Sequence, residues 1–135
     1  MTSNLVPNAN FIGPHEEREL ELMKLGTKPL SMFVEPIPSE YEFFDEEQFD
    51  ALVERGTFVK SVRIENVPTP NGDQEIRRTF YAQASESWRI PAMLLTLDVY
   101  RSLGPGIRPD LERITGLLLG YDREDIEKYV ESKRR

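Results

Sequence analysis

"TFVKSVRIENVPTPNGDQEIRRTFYAQA", residues 57–84, holds two runs of β-forming side chains separated by "PTPNGD", whose Asn71-Gly72 pair and two prolines are turn chemistry. The stretch predicts an antiparallel hairpin. Alternation along the two runs predicts Phe58, Val62, Ile64, Ile76, Phe80 and Ala82 on one apolar face, with Ser61, Arg63, Arg77 and Thr79 on the other. Lys60 and Arg78 then fall on the apolar side, where a cation must snorkel, find a carboxylate or line a cavity.

Upstream, "PLSMFVEPIP" is a short apolar run between prolines, which predicts a strand over 30–35 near a sheet edge. In "FDEEQF", Asp45 is placed to cap a helix, Gln48 to complete a capping box, and Phe44 to staple against Phe49; Gly56 ends that helix after about Glu54. "GPHEERELELMKLG", residues 13–26, predicts another, with Pro14 at its first position, Glu16, Glu17 and Glu19 at its positive end and Gly26 as its stop. Downstream, "SESWRIPAMLLTLDVYRSLG" spaces Ile90, Met93, Leu94, Leu97 and Tyr100 at helical intervals and predicts the core helix, with Pro91 in its first turn. "DLERITGLLLG" and "DREDIEKYVESKRR" predict two closing helices, the first stopped by Gly120, the second capped by Asp122 with Tyr121 stapled to Ile126.

Strands gathered in one part of the chain with helices around them predict an α+β fold: a three-stranded antiparallel or mixed sheet, about five helices and a helical C-terminal half. Residues 1–12 are read as an N-terminal arm and 13–135 as a single domain. The segment "GLLLGYDREDIEKYV", residues 116–130, resembles the Gly-aromatic helix-loop-helix of ubiquitin-associated domains. The likeness covers those residues only, since such domains continue into a third helix for which no chain remains, and no function is carried over.

The chain is acidic, with 24 carboxylates against 17 basic side chains, a net charge of −7, which argues against direct nucleic-acid binding, where basic surface supplies the affinity. It has no cysteine, which excludes disulfides, thiolate metal sites and cysteine nucleophiles and suits a reducing, cytoplasmic setting. Its apolar runs are too short to span a bilayer, so a soluble protein without membrane association is expected. Neither a phosphate loop, a dinucleotide fingerprint, a nucleophile elbow nor a zinc-protease motif occurs, and no cofactor or metal is implied.

Two groups of residues stand out. Between Lys28 and Arg55 there is no basic side chain but eight acidic ones, interleaved with Tyr41, Phe43 and Phe44. Aromatics rimmed by charge suit a contact surface, and Glu42, Phe43, Asp45, Glu46, Glu47 and Asp50 are the candidate partner-binding residues. The second group is cationic or aromatic: Lys60, Arg78, Tyr81, Trp88 and Arg89, with the single histidine, His15, as candidates for an anion site between the hairpin and the core helix. A lone histidine beside two glutamates is more simply part of a helix start.

The leading expectation is therefore a small acidic interaction module, such as an inhibitor, immunity-like protein or accessory factor, docking a basic protein. The alternatives are a small ligand-binding protein or enzyme using the anion site, and an inhibitor mimicking nucleic-acid phosphates. The oligomeric state is open, with an edge strand at 30–35 as one route to twofold pairing.

Overall fold

The computed structural model describes His15 and residues 17–133. Its elements run α1 (Glu19–Lys24), β1 (Leu30–Pro36), α2 (Glu46–Glu54), β2 (Phe58–Thr69), β3 (Gly72–Gln83), a 3₁₀ turn (Ala84–Glu86), α3 (Arg89–Ser102), α4 (Pro109–Leu119) and α5 (Arg123–Lys133). The sheet is wholly antiparallel in the order β1-β3-β2, which makes the fold α+β with its helices weighted to the C-terminal half. The chain packs as two compact units, one of Leu30–Ile90 and the other of Met1–Pro29 with Pro91–Arg135.

In the sheet unit the hairpin closes through the two-residue loop Pro70-Asn71, and its register runs without a bulge from Thr69↔Gly72 to Phe58↔Gln83. An even loop pairs residues of opposite parity, and paired residues share a face. This overturns the expected single apolar face. Phe58, Lys60, Val62 and Ile64 share a face with Gln83, Tyr81, Thr79 and Arg77, whereas Ile76, Arg78, Phe80 and Ala82 lie on the opposite one with Val59, Ser61, Arg63 and Glu65. Lys60 and Arg78 are therefore on opposite faces. β1 adds Ser31, Phe33 and Glu35 to the first face and Leu30, Met32 and Val34 to the second.

Helix α2 lies on the first face. Asp45 caps it by accepting from the Gln48 amide at 3.2 Å, and Gly56, at φ 81°, turns the chain out of it. The Gln48 side chain also donates to the Asp45 carboxylate. Phe44 meets Phe49 edge-on at 5.9 Å, so the staple forms. Phe49 stacks on Tyr81 at 4.6 Å, and Phe33 stacks on Phe44 at 4.0 Å, which builds an aromatic core beneath the helix.

In the helical unit, Met23, Met93, Leu118, Ile126 and Val130 are buried. α4 and α5 pack closely because Gly116 has no side chain: a Cβ there would stand 2.7 Å from Ile126. Gly120, at φ 87°, ends α4 as expected, and its bare Cα lets Pro29 pass where a methyl group would collide. α1 starts later than the sequence pattern implies, with Arg18 as its N-cap, so His15 lies in the turn before the helix rather than on it. The proposed roles of Pro14 and Glu16, like the arm at 1–12, lie outside the described residues. No described helix is long and apolar enough to cross a membrane.

Candidate functional site

The acidic stretch and the hairpin meet in the sheet unit, and much of their charge cancels there. Glu46, in the first turn of α2, points down to the sheet and binds Arg77 Nη2 at 2.6 Å and Lys60 Nζ at 2.8 Å. Arg77 also donates to Glu35 of β1 at 2.9 Å. One helical turn on, Asp50 receives Lys60 at 2.8 Å and the Tyr81 hydroxyl at 2.8 Å. Register explains the grouping: Lys60 faces Tyr81, and Glu35 faces Arg77, across adjacent strands.

The arrangement shifts the ionisation of its members. The Arg77 hydrogen bonds, opposed by partial burial and aided by Lys60, hold the Glu46 carboxyl at about 2. Burial pushes the Tyr81 phenol up, and its bond to the Asp50 carboxylate pushes the same way. For Lys60 burial acts downward, but the bonds to Asp50 and Glu46 outweigh it and the ammonium is held upward. A phenol raised in this way does not serve as a general acid near neutral pH, and Lys60 stays charged and occupied. These groups form an ion-paired brace between helix and sheet.

On the opposite face Glu65 receives Arg63 at 2.7 Å and Arg78 at 3.0 Å. Arg89 pairs with Glu86 at 2.7 Å and lies over the exposed Trp88 ring at 4.7 Å. Of the expected cationic set, then, Lys60 and Tyr81 come together, while Arg78 is on the far side of the sheet and Trp88 and Arg89 form a separate pair. His15 belongs to the other unit. There its ring stacks on Tyr121 at 4.1 Å, and its Nδ1 lies 2.8 Å from Lys28 Nζ. Lys28, 2% exposed, also donates to the Leu119 carbonyl at 2.7 Å and lies over the Tyr121 ring at 4.9 Å.

A lysine ammonium only donates, so the imidazole must accept at Nδ1 and is neutral there. Burial first, and then the Lys28 charge, push the histidine down to about 4, while burial pushes Lys28 down to about 8. Nothing in the sequence around Lys28 announces this role. Its partners are 13 and 91 residues away.

The balance of the sheet unit decides what remains at its surface. Residues 30–90 carry twelve carboxylates and six basic side chains, a net of −6, so nearly all of the chain's −7 resides there. Five of the six cations, Lys60, Arg63, Arg77, Arg78 and Arg89, are paired with Glu35, Glu46, Asp50, Glu65 and Glu86. Glu40, Glu42, Glu47 and Glu54 are exposed around the loop before α2 and along its outer side, and none forms an ion pair among the described residues. Tyr41, in the loop before α2, is 73% exposed, with the half-buried Phe43 ring 6.4 Å away. Thus the nominated Glu42 and Glu47 face outward, Phe43 is half-buried, Asp45 serves as a cap, and Glu46 and Asp50 are turned inward.

Family models, curated proteins and solved structures were all compared with the chain, and none matches. No group of three or more possible metal ligands occurs among the described residues.

Proposed function

We propose that this chain is a small acidic interaction module that docks a basic protein through the outer side of α2 and the loop before it. One observation carries the reading: five of the sheet unit's six cations are spent internally, while Glu40, Glu42, Glu47 and Glu54 remain unpaired among the described residues and Tyr41 in the loop before α2 is exposed. Unpaired like charges raise a field that accelerates encounter with an oppositely charged surface, and a tyrosine offers contact area at low entropic cost. The internal brace supports the same role by holding α2 rigid. A reducing cytoplasm suits a chain without cysteine.

The test is recovery of a basic protein from the native host by the purified chain, compared with a variant carrying Glu40→Lys, Glu42→Lys, Glu47→Lys and Glu54→Lys. Recovery should be lost, while a control with Asp73→Lys and Glu75→Lys, at the hairpin tip, should retain it. Association with the recovered protein should slow by about tenfold or more as salt is raised. Recovery unchanged in the four-residue variant would remove this reading.

A further inference from the structure

The two outer edges of the sheet differ. β1 spans only the seven residues Leu30–Pro36. β2 is an edge strand of 12 residues, Phe58–Thr69. In a hairpin with a two-residue loop, the residues flanking the loop form a hydrogen-bonded pair, and bonded pairs alternate along the strand. Since Thr69↔Gly72 is that flanking pair, the odd-numbered residues of β2 bond inward to β3 and the even-numbered ones turn their amide and carbonyl groups outward. Pro68, which has no amide hydrogen to give, falls on the outward set, in keeping with this phase. The outward set therefore includes Lys60, Val62 and Ile64, whose backbone groups make no bond beyond the sheet among the described residues. Val62 and Ile64 are also 42% and 51% exposed as side chains.

An edge of this length with apolar side chains is a template for another strand. Its charges indicate which. Arg63 and Glu65 flank Ile64 symmetrically on one face of the strand; Glu65 is nearly buried and is held within its own chain by Arg63 at 2.7 Å and Arg78 at 3.0 Å. Under a twofold axis at Ile64, an antiparallel copy of β2 sets Arg63 opposite Glu65 of the second chain and Glu65 opposite its Arg63. Opposite rather than like charges therefore face one another across the seam. The same axis sets Ile64 against Ile64 and joins even-numbered residues to even-numbered ones, which the outward backbone groups require. A basic peptide would instead meet Lys60 and Arg63.

We infer that β2 is a self-association edge: two copies of the chain pair antiparallel through it about Ile64, joining their sheets into one of six strands.

Sedimentation velocity of the full chain across a concentration series is the test. The wild-type chain should show a concentration-dependent dimer. Ile64→Lys should be monomeric, because it sets two ammonium groups face to face, and Ile64→Glu should be monomeric for the same reason. Mixing the two variants should restore a dimer, since residue 64 then meets its opposite charge. Thermal melts of each variant check that the fold survives; should either lysine or glutamate unfold the chain, Ile64→Thr, expected to weaken the dimer without abolishing it, replaces the pair. A wild-type chain monomeric throughout, dimers that persist in both charged variants, or a mixture that stays monomeric would overturn the inference.

Discussion

Both compact units shield cations from water, Lys60 and Arg77 in part and Lys28 almost wholly, and they meet that charge by different means. In the sheet unit Lys60 and Arg77 are matched by the carboxylates of Glu35, Glu46 and Asp50, and the charged forms of Lys60, Arg77 and Glu46 are favoured. In the helical unit Lys28 has a carbonyl, a neutral imidazole and an aromatic face, and burial drives it toward losing its proton against a smaller opposing pull from the Glu19 carboxylate. The contrast shows that burial sets the cost of a charge and the partner decides its fate. Countercharge repays the loss of water; dipoles and ring faces repay only part of it.

The sharpest way to break the comparison is to dislodge Lys28. Gly120→Ala places a methyl group against Pro29 at a backbone angle that side chains rarely adopt, and so pulls the segment carrying Lys28 from the Leu119 carbonyl. A loss of about 3 kcal/mol is expected from denaturant unfolding, with the strained φ and the collision both contributing.

A smaller effect sharpens the contrast through pH. Glu46→Gln should cost about 2 kcal/mol, because Arg77 and Lys60 each keep one carboxylate but share a weaker acceptor. Glu46 is held at about 2 against an ordinary 4.5, so its contribution is complete above pH 4.5 and is lost as pH falls toward 2. Melting temperatures should therefore fall less steeply over that window in Glu46→Gln than in the wild-type chain. The helical unit should respond at the opposite end. Lys28 is near 8 folded and 10.5 unfolded, so the unfolded chain binds more protons between those values and stability rises with pH across them. Lys28→Met should flatten that rise. His15, lowered from 6.5 to about 4, likewise favours the folded chain above pH 6.5 and loses that contribution as pH falls to 4.

The smallest effect concerns the one flaw in the sheet unit's polar layer. Thr79 is fully buried on the braced face, and its hydroxyl has no hydrogen-bond partner. Thr79→Val, equal in shape, should raise stability by about 1 kcal/mol in denaturant titration, since an unsatisfied buried hydroxyl is replaced by a methyl group.

Most element boundaries were legible because their causes lie within a few residues. Asp45 caps the helix it precedes, Gly120 stops the helix it follows, and Pro91 sits in a first turn where its missing hydrogen costs nothing. The start of α1 was not, since Pro14 and the glutamates after it suit a helix start that Arg18 in fact supplies. The faces of the hairpin were misread for a different reason. Apolar residues occur at even positions on both runs, but an even loop pairs even with odd, so the turn overrules the pattern. Of the contact residues, Glu42 and Glu47 face outward as composition suggested, whereas Glu46 and Asp50, chemically identical to their neighbours, turn inward because helical periodicity aims them at Lys60.

By itself the sequence determined the α+β order, the strand that begins at Leu30, the hairpin, the caps and the excess of carboxylates, all of which follow from propensities and interactions between near neighbours. Only the tertiary structure decided which charges survive at the surface. That outcome depends on strand register and on the rotation of α2 over the sheet, which bring Glu35 to Arg77 and Asp50 to Tyr81 across 42 and 31 residues of chain. A bond between side chains so far apart in sequence leaves no local trace, because its geometry exists only once the backbone between them has been placed.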